Sequence, residues 1–196
     1  MNQKIGMTAS IVNVTAVVMF ALSMLIGSTF LSYLSSIFIA LSFVPMMCAF
    51  CFYAREDRRV AGIIAVGFSA IYATIILLVY FAQLTTLRLD SLTDQAIQLL
   101  DFQKFGLFFN YDMLGYALMA LSTFFAGLTL SQNKWLKALL MIHGIFFISC
   151  LIIPMMGIFS TEGNPLIGIR VLEIWCIYFV PVGLLSYRFF KLSDKR

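Results

Sequence analysis

Residues 8–54 read TASIVNVTAVVMFALSMLIGSTFLSYLSSIFIALSFVPMMCAFCFYA, 47 positions without one formal charge. A helix of that length would run roughly 70 Å at ~1.5 Å per residue, against a bilayer hydrocarbon core of ~30 Å. One straight span cannot absorb it. The stretch therefore predicts two transmembrane helices, at 10–31 and 34–54. The turn between them is expected near Ser32-Tyr33-Leu34-Ser35-Ser36, where serine hydroxyls can satisfy exposed backbone groups. Pro45 is expected to kink the second helix.

The rest of the chain follows the same pattern. Further apolar runs at 60–83, 105–130, 136–159 and 169–190 bring the count to six, with Pro154 near the end of the fifth and Pro181 inside the sixth. Of the 196 residues 62% are apolar and 11% charged, with mean hydropathy +0.98. Thirteen basic and nine acidic residues cannot build the charged shell of a water-soluble domain this large. The composition excludes a soluble globular protein, a disordered chain and a disulfide-stapled scaffold. It predicts a single all-α domain over 1–196, a polytopic six-helix membrane protein. No linker or internal repeat divides it. The apolar N-terminal stretch lacks a cleavage signature and reads as a retained first helix.

Basic residues orient the spans. Lys4, Arg55, Arg58, Arg59, Lys134, Lys137, Arg188, Lys191, Lys195 and Arg196 fall on one side, and Arg88, Lys104 and Arg170 on the other. That bias of ten to three places both termini in the cytoplasm by the positive-inside rule. An odd number of spans would set Lys4 opposite the Arg55–Arg59 cluster. Tyr53, Trp135 and Tyr187 fall near the inferred cytoplasmic helix ends, as interfacial anchors do. The net +4 is thus a topology signal, and no basic groove suggests a nucleic-acid partner. Membrane lipids are the expected surroundings.

One loop is substantial: residues 84–104, LTTLRLDSLTDQAIQLLDFQK. Leu89, Leu92, Ala96 and Leu99/Leu100 recur at helical spacing, and Ser91 with Asp94 resembles a capping box. An amphipathic helix over about 88–102 is expected outside. It either lies on the outer leaflet or forms a lid over an outward-opening site.

Ionisable groups within a bilayer are costly and commonly face protein or a water-filled cavity. Depth places Tyr80, Gln83, Asn110, Asp112, Arg170 and Glu173 in one outer layer, with Tyr116 one turn from Asp112 on the same helix face. Two carboxylates and an arginine can bind a proton, a cation or a polar headgroup there. The structural alternative is that Glu173 pairs with Arg170 at i,i+3 and that Asp112 takes a hydrogen bond from a neighbouring Tyr or Gln. A dry, unpaired Asp112 would suit proton coupling.

His143, the only histidine, matches Ser69 in depth within ~3 Å. A Ser–His pair would suggest an intramembrane serine hydrolase, although no cluster of donors at that depth suggests an oxyanion hole. The alternative is a histidine bonded to a backbone carbonyl or hydroxyl. Cys48 and Cys51 form a C-x-x-C within an apolar helix, with no second Cys/His pair to complete a zinc site. Cys150 and Cys176 read as small core residues. No cofactor or metal is expected. Ser28, Ser32 and Ser36, and Ser23 with Gly27, form small faces suited to close helix packing.

The segments Tyr80-Phe81-Ala82-Gln83-Leu84-Thr85, Asp112-Met113-Leu114-Gly115-Tyr116 and Leu121-Ser122-Thr123-Phe124-Phe125-Ala126 resemble those of an uncharacterised family of small prokaryotic six-helix integral membrane proteins. The similar stretch covers about a third of the chain. The resemblance implies a bacterial or archaeal inner-membrane protein and carries over no activity. The leading expectation is binding or transport of a small or lipid-like ligand in the outer half of the bundle. A hydrolase using Ser69 and His143, and a non-catalytic membrane subunit, are the alternatives.

Overall fold

The computed structural model describes residues 1–156 and 165–193. These residues form an all-α polytopic fold, and six helices are long and apolar enough to cross a membrane. In chain order the helices are α1 Asn2–Leu25, α2 Thr29–Phe52, α3 Arg59–Leu84, the short α4 Asp94–Leu100, α5 Leu107–Thr129, α6 Lys134–Met155 and α7 Pro165–Ser193. Gln3 Nε2 donates to the Lys191 carbonyl at 3.2 Å, so the outermost turns of α1 and α7 lie on one face, here called the terminal face.

The first turn differs from the sequence expectation. It lies at Ile26-Gly27-Ser28, before the Ser32–Ser36 run. Gly27 adopts φ +69°, a left-handed conformation that closes α1 at no steric cost. Ser28 then caps α2, its Oγ accepting from the Leu31 N–H. Serines farther along do not break the helix, because Ser36 Oγ donates to the Ser32 carbonyl one turn back. The first span accordingly begins at Asn2, eight residues earlier than expected, and α2 continues through Pro45. The fifth span reaches Met155, and its expected last positions, 157–159, lie outside the described residues.

Neighbouring helices run in the order α6, α5, α3, α2, α1, α7, and α7 meets α6 only lightly. Phe43 of α2 fills the centre, 5.4 Å from the Tyr72 ring and 6.5 Å from the Phe179 ring. Small residues allow the close crossings. A Cβ added at Gly62 would stand 2.8 Å from the Cys51 Cα, and one at Gly115 would meet Ile76 at 2.9 Å.

Polar pins join the same helices. Asn13 Nδ2 donates to the Ile39 carbonyl at 3.2 Å and to Ser42 Oγ at 3.0 Å. Ser122 Oγ donates to the Ala65 carbonyl at 2.7 Å. Arg58 Nη1 donates to the carbonyls of Leu128 and Leu130, closing the end of α5 where helical carbonyls have no partner. Trp135 stands exposed at the start of α6 on the terminal face, where an interfacial anchor belongs.

The loop between α3 and α5 is more broken than the expected 88–102 helix. It comprises a 3₁₀ turn at Thr86–Arg88, then α4, then a second 3₁₀ turn at Phe102–Lys104. Thr93, rather than Ser91, caps α4, its Oγ1 accepting from the Ala96 N–H at 3.3 Å. The helix stays short because the following residues are recruited by the bundle. Phe105 turns left-handed at φ 54°, and Gly106 passes so close to the Gln98 carbonyl that a Cβ would stand 2.1 Å from it.

Candidate functional site

The polar centre forms where α2, α3 and α5 meet below this loop. Asp112 is the sixth residue of α5, ~8 Å along the helix from its start. It is buried at 3% exposure because its helix face, shared with Phe109, Gly115 and Met119, packs inward. Tyr80 comes from the last full turn of α3 and Tyr72 from two turns deeper on the same face. Tyr33 and Ser36 come from the first turns of α2.

Tyr80 is the hub: the Asp112 carboxyl and the Ser36 and Tyr116 hydroxyls all lie near its hydroxyl. Tyr72 packs on Tyr116 with ring centroids 6.1 Å apart. Two buried oxygens in this cluster, Asp112 Oδ1 and Tyr72 Oη, have no protein hydrogen-bond partner. Among the described residues no Lys or Arg pairs with Asp112. A buried carboxyl without a counter-cation is an expensive arrangement in hydrocarbon.

Aromatic rings roof the cluster on the loop side. Tyr33 and Tyr80 lie 5.5 Å apart, and Phe102, from the second 3₁₀ turn, lies 6.3 Å and 6.0 Å from them. Phe109 backs Phe102 at 5.3 Å. Gln83 secures the roof. It is buried, its Nε2 donates to the Leu100 carbonyl at 2.7 Å, and its Oε1 accepts the Phe102 N–H at 3.2 Å. The Tyr33 hydroxyl lies near the Gln103 side chain of the same segment.

The expected outer layer therefore divides. Tyr80, Asp112 and Tyr116 come together, and Gln83 stands above them holding the loop. Asn110 is exposed and takes no part. Arg170 and Glu173 form their own i,i+3 ion pair at 2.7 Å, with the Arg170 side chain largely exposed. No hydrogen bond or ion pair among the described residues joins Glu173 to Asp112. Ser36, Tyr33, Tyr72 and Phe102 belong to the cluster and were missed. The Tyr72–Ile76–Tyr80 repeat marks one face of α3 and was the available signal. By sequence Ser36 reads as a turn and helix-packing residue, and nothing local marks Phe102.

Ser69 and His143 are not joined. Trp175 Nε1 donates to His143 Nε2 at 2.9 Å, so the proton of a neutral ring resides on Nδ1, which faces Thr123 Oγ1 at 2.7 Å. Thr123 Oγ1 in turn donates to the Ala120 carbonyl at 2.8 Å. Both ring nitrogens are thereby committed to a chain joining α7, α6 and α5. Ser69 Oγ donates to the Val66 carbonyl of its own helix. Tyr178 adds a hydroxyl bond to the Leu139 carbonyl, the neighbouring link between α7 and α6. The four cysteines are free thiols, and no group of three or more His, Cys, Asp or Glu among the described residues is arranged to hold a metal ion.

No family model matches the chain, and no curated protein or solved structure matches it.

Proposed function

We propose that this chain is a multi-pass protein of a prokaryotic cytoplasmic membrane that binds or transports a small or lipid-like ligand held at the Asp112–Tyr80–Tyr116 cluster. Both termini would lie in the cytoplasm, as the distribution of Lys and Arg indicates. The loop carrying α4 would then face outward. Membrane lipids surround the bundle in this reading, and no nucleic acid is involved.

The observation that supports it is the Asp112 carboxyl. An acid buried at membrane depth among hydroxyls, with one oxygen unpartnered, is retained at an energetic cost that a purely structural residue would not require. The Gln83-secured loop supports a gating role, since it covers the cluster from one side. Met119 and the surrounding aromatic rings supply apolar walls.

A thermal-shift screen of the purified protein in detergent tests the proposal. A ligand that raises the melting temperature should lose about tenfold or more in affinity in Asp112→Asn and in Tyr80→Phe. The exposed Asn110→Ala should leave it within about twofold. Equal effects at all three positions would overturn the site. Reporter fusions at residues 1 and 196 that fall outside the cytoplasm would overturn the orientation.

A further inference from the structure

We propose, resting on the reading above, that the ligand is a small alkylammonium cation, its charge on Asp112 Oδ1 and its alkyl groups against the rings of Tyr33, Tyr80 and Phe102. The first argument is the unpartnered oxygen. A buried carboxylate is stabilised by a cation that also donates hydrogen bonds or lies close to it, and among the described residues no side chain supplies one. His143 cannot serve, since its nitrogens are engaged by Trp175 and Thr123.

The second argument is the wall chemistry. Tyr33, Tyr80 and Phe102 meet with centroids 5.5–6.3 Å apart, and Tyr33 and Tyr80 of this group lie close to the carboxyl. Ring faces attract cations, and quaternary ammonium groups are recognised by such aromatic clusters. An anionic ligand would meet an acid and no base. The loop above carries three acids, Asp90, Asp94 and Asp101, against two bases, Arg88 and Lys104, and Asp101 lies close to Tyr33. The rings pack on one another, so entry requires Phe102 to swing aside, and the two Gln83 bonds hold it in place.

The test uses Trp175, whose ring lies 5.9 Å from that of Tyr116. The chain has two tryptophans, so Trp135→Phe leaves Trp175 as sole reporter. The full chain in detergent, carrying Trp135→Phe and Gln83→Leu, is titrated with choline chloride against 3,3-dimethylbutanol, its neutral isostere, at constant chloride. A saturable emission change with choline is expected, about thirtyfold or more weaker on adding Asp112→Asn. Phe102→Ala, which keeps the carboxyl, should weaken it about threefold to tenfold.

A saturable response to the isostere equal to that of choline would overturn the cation assignment while leaving the proposed binding site. A choline response unchanged by both Asp112→Asn and Phe102→Ala would overturn it as well. Silence with both probes would overturn the assignment too. The thermal-shift screen, which does not depend on ligand charge, judges the proposed binding site separately.

Discussion

The Phe102 backbone N–H donates to Gln83 Oε1 at 3.2 Å, joining the last turn of α3 to the residue whose ring packs on Tyr33 and Tyr80. One amide side chain thus satisfies a donor and an acceptor of the loop backbone, the second being the Leu100 carbonyl. A segment with little regular structure is held in one position by a residue that lies outside it.

Gln83→Leu removes both bonds and keeps the side-chain volume. Two backbone groups lose partners at about 1–3 kcal/mol each when buried, so local opening should become much easier. Hydrogen exchange by mass spectrometry should show faster uptake over 99–104, with the amides of α2 and α5 unchanged. Equal protection in both proteins would show that Tyr33 and the aromatic packing suffice to hold the loop.

The Trp175–His143–Thr123 chain predicts strong coupling between two helices that otherwise touch lightly. His143→Leu leaves the Trp175 N–H without its acceptor, and Trp175→Phe leaves His143 Nε2 without its donor. Each should destabilise by about 1–3 kcal/mol. The double variant should be less destabilised than their sum, with a coupling of ~0.5–3 kcal/mol in detergent unfolding. A fluorophosphonate should leave Ser69 unlabelled, since its hydroxyl has no base beside it.

Two glycines of α3 predict opposite outcomes for the same substitution. At Gly62 a Cβ would stand 2.8 Å from the Cys51 Cα, a backbone atom that cannot rotate away. Gly62→Ala must therefore separate α2 from α3, at about 1–3 kcal/mol. At Gly67 nothing lies within 4 Å of the added carbon, so Gly67→Ala should be neutral or stabilising by up to ~1 kcal/mol. Melting temperatures of the two variants measured side by side check this.

Element boundaries were legible where one residue decides them and obscure where two compete. The third span was expected at 60–83 and is Arg59–Leu84, because charge flanks it at its start and the apolar run is clear. The first turn was misplaced because both Gly27-Ser28 and the Ser32–Ser36 run have turn chemistry. The left-handed residue decided it, since serines inside a helix can bond back to the preceding turn. The 84–104 loop shows the opposite effect. Its helical periodicity is real, but the α4 helix extends only where Gln83 and the aromatic ring packing leave it free to do so.

Six apolar stretches and the alternation of basic residues between them determined the number of spans and the pairing of their ends, because hydrocarbon tolerates neither unpaired backbone nor scattered charge. Depth along each helix was also readable, since rise per residue is constant. Rotation about each helix axis was not. It places Asp112 against Tyr80, turns Asn110 outward and leaves Glu173 with Arg170. It depends on which side chains of neighbouring helices interlock, and that is decided only when the bundle packs.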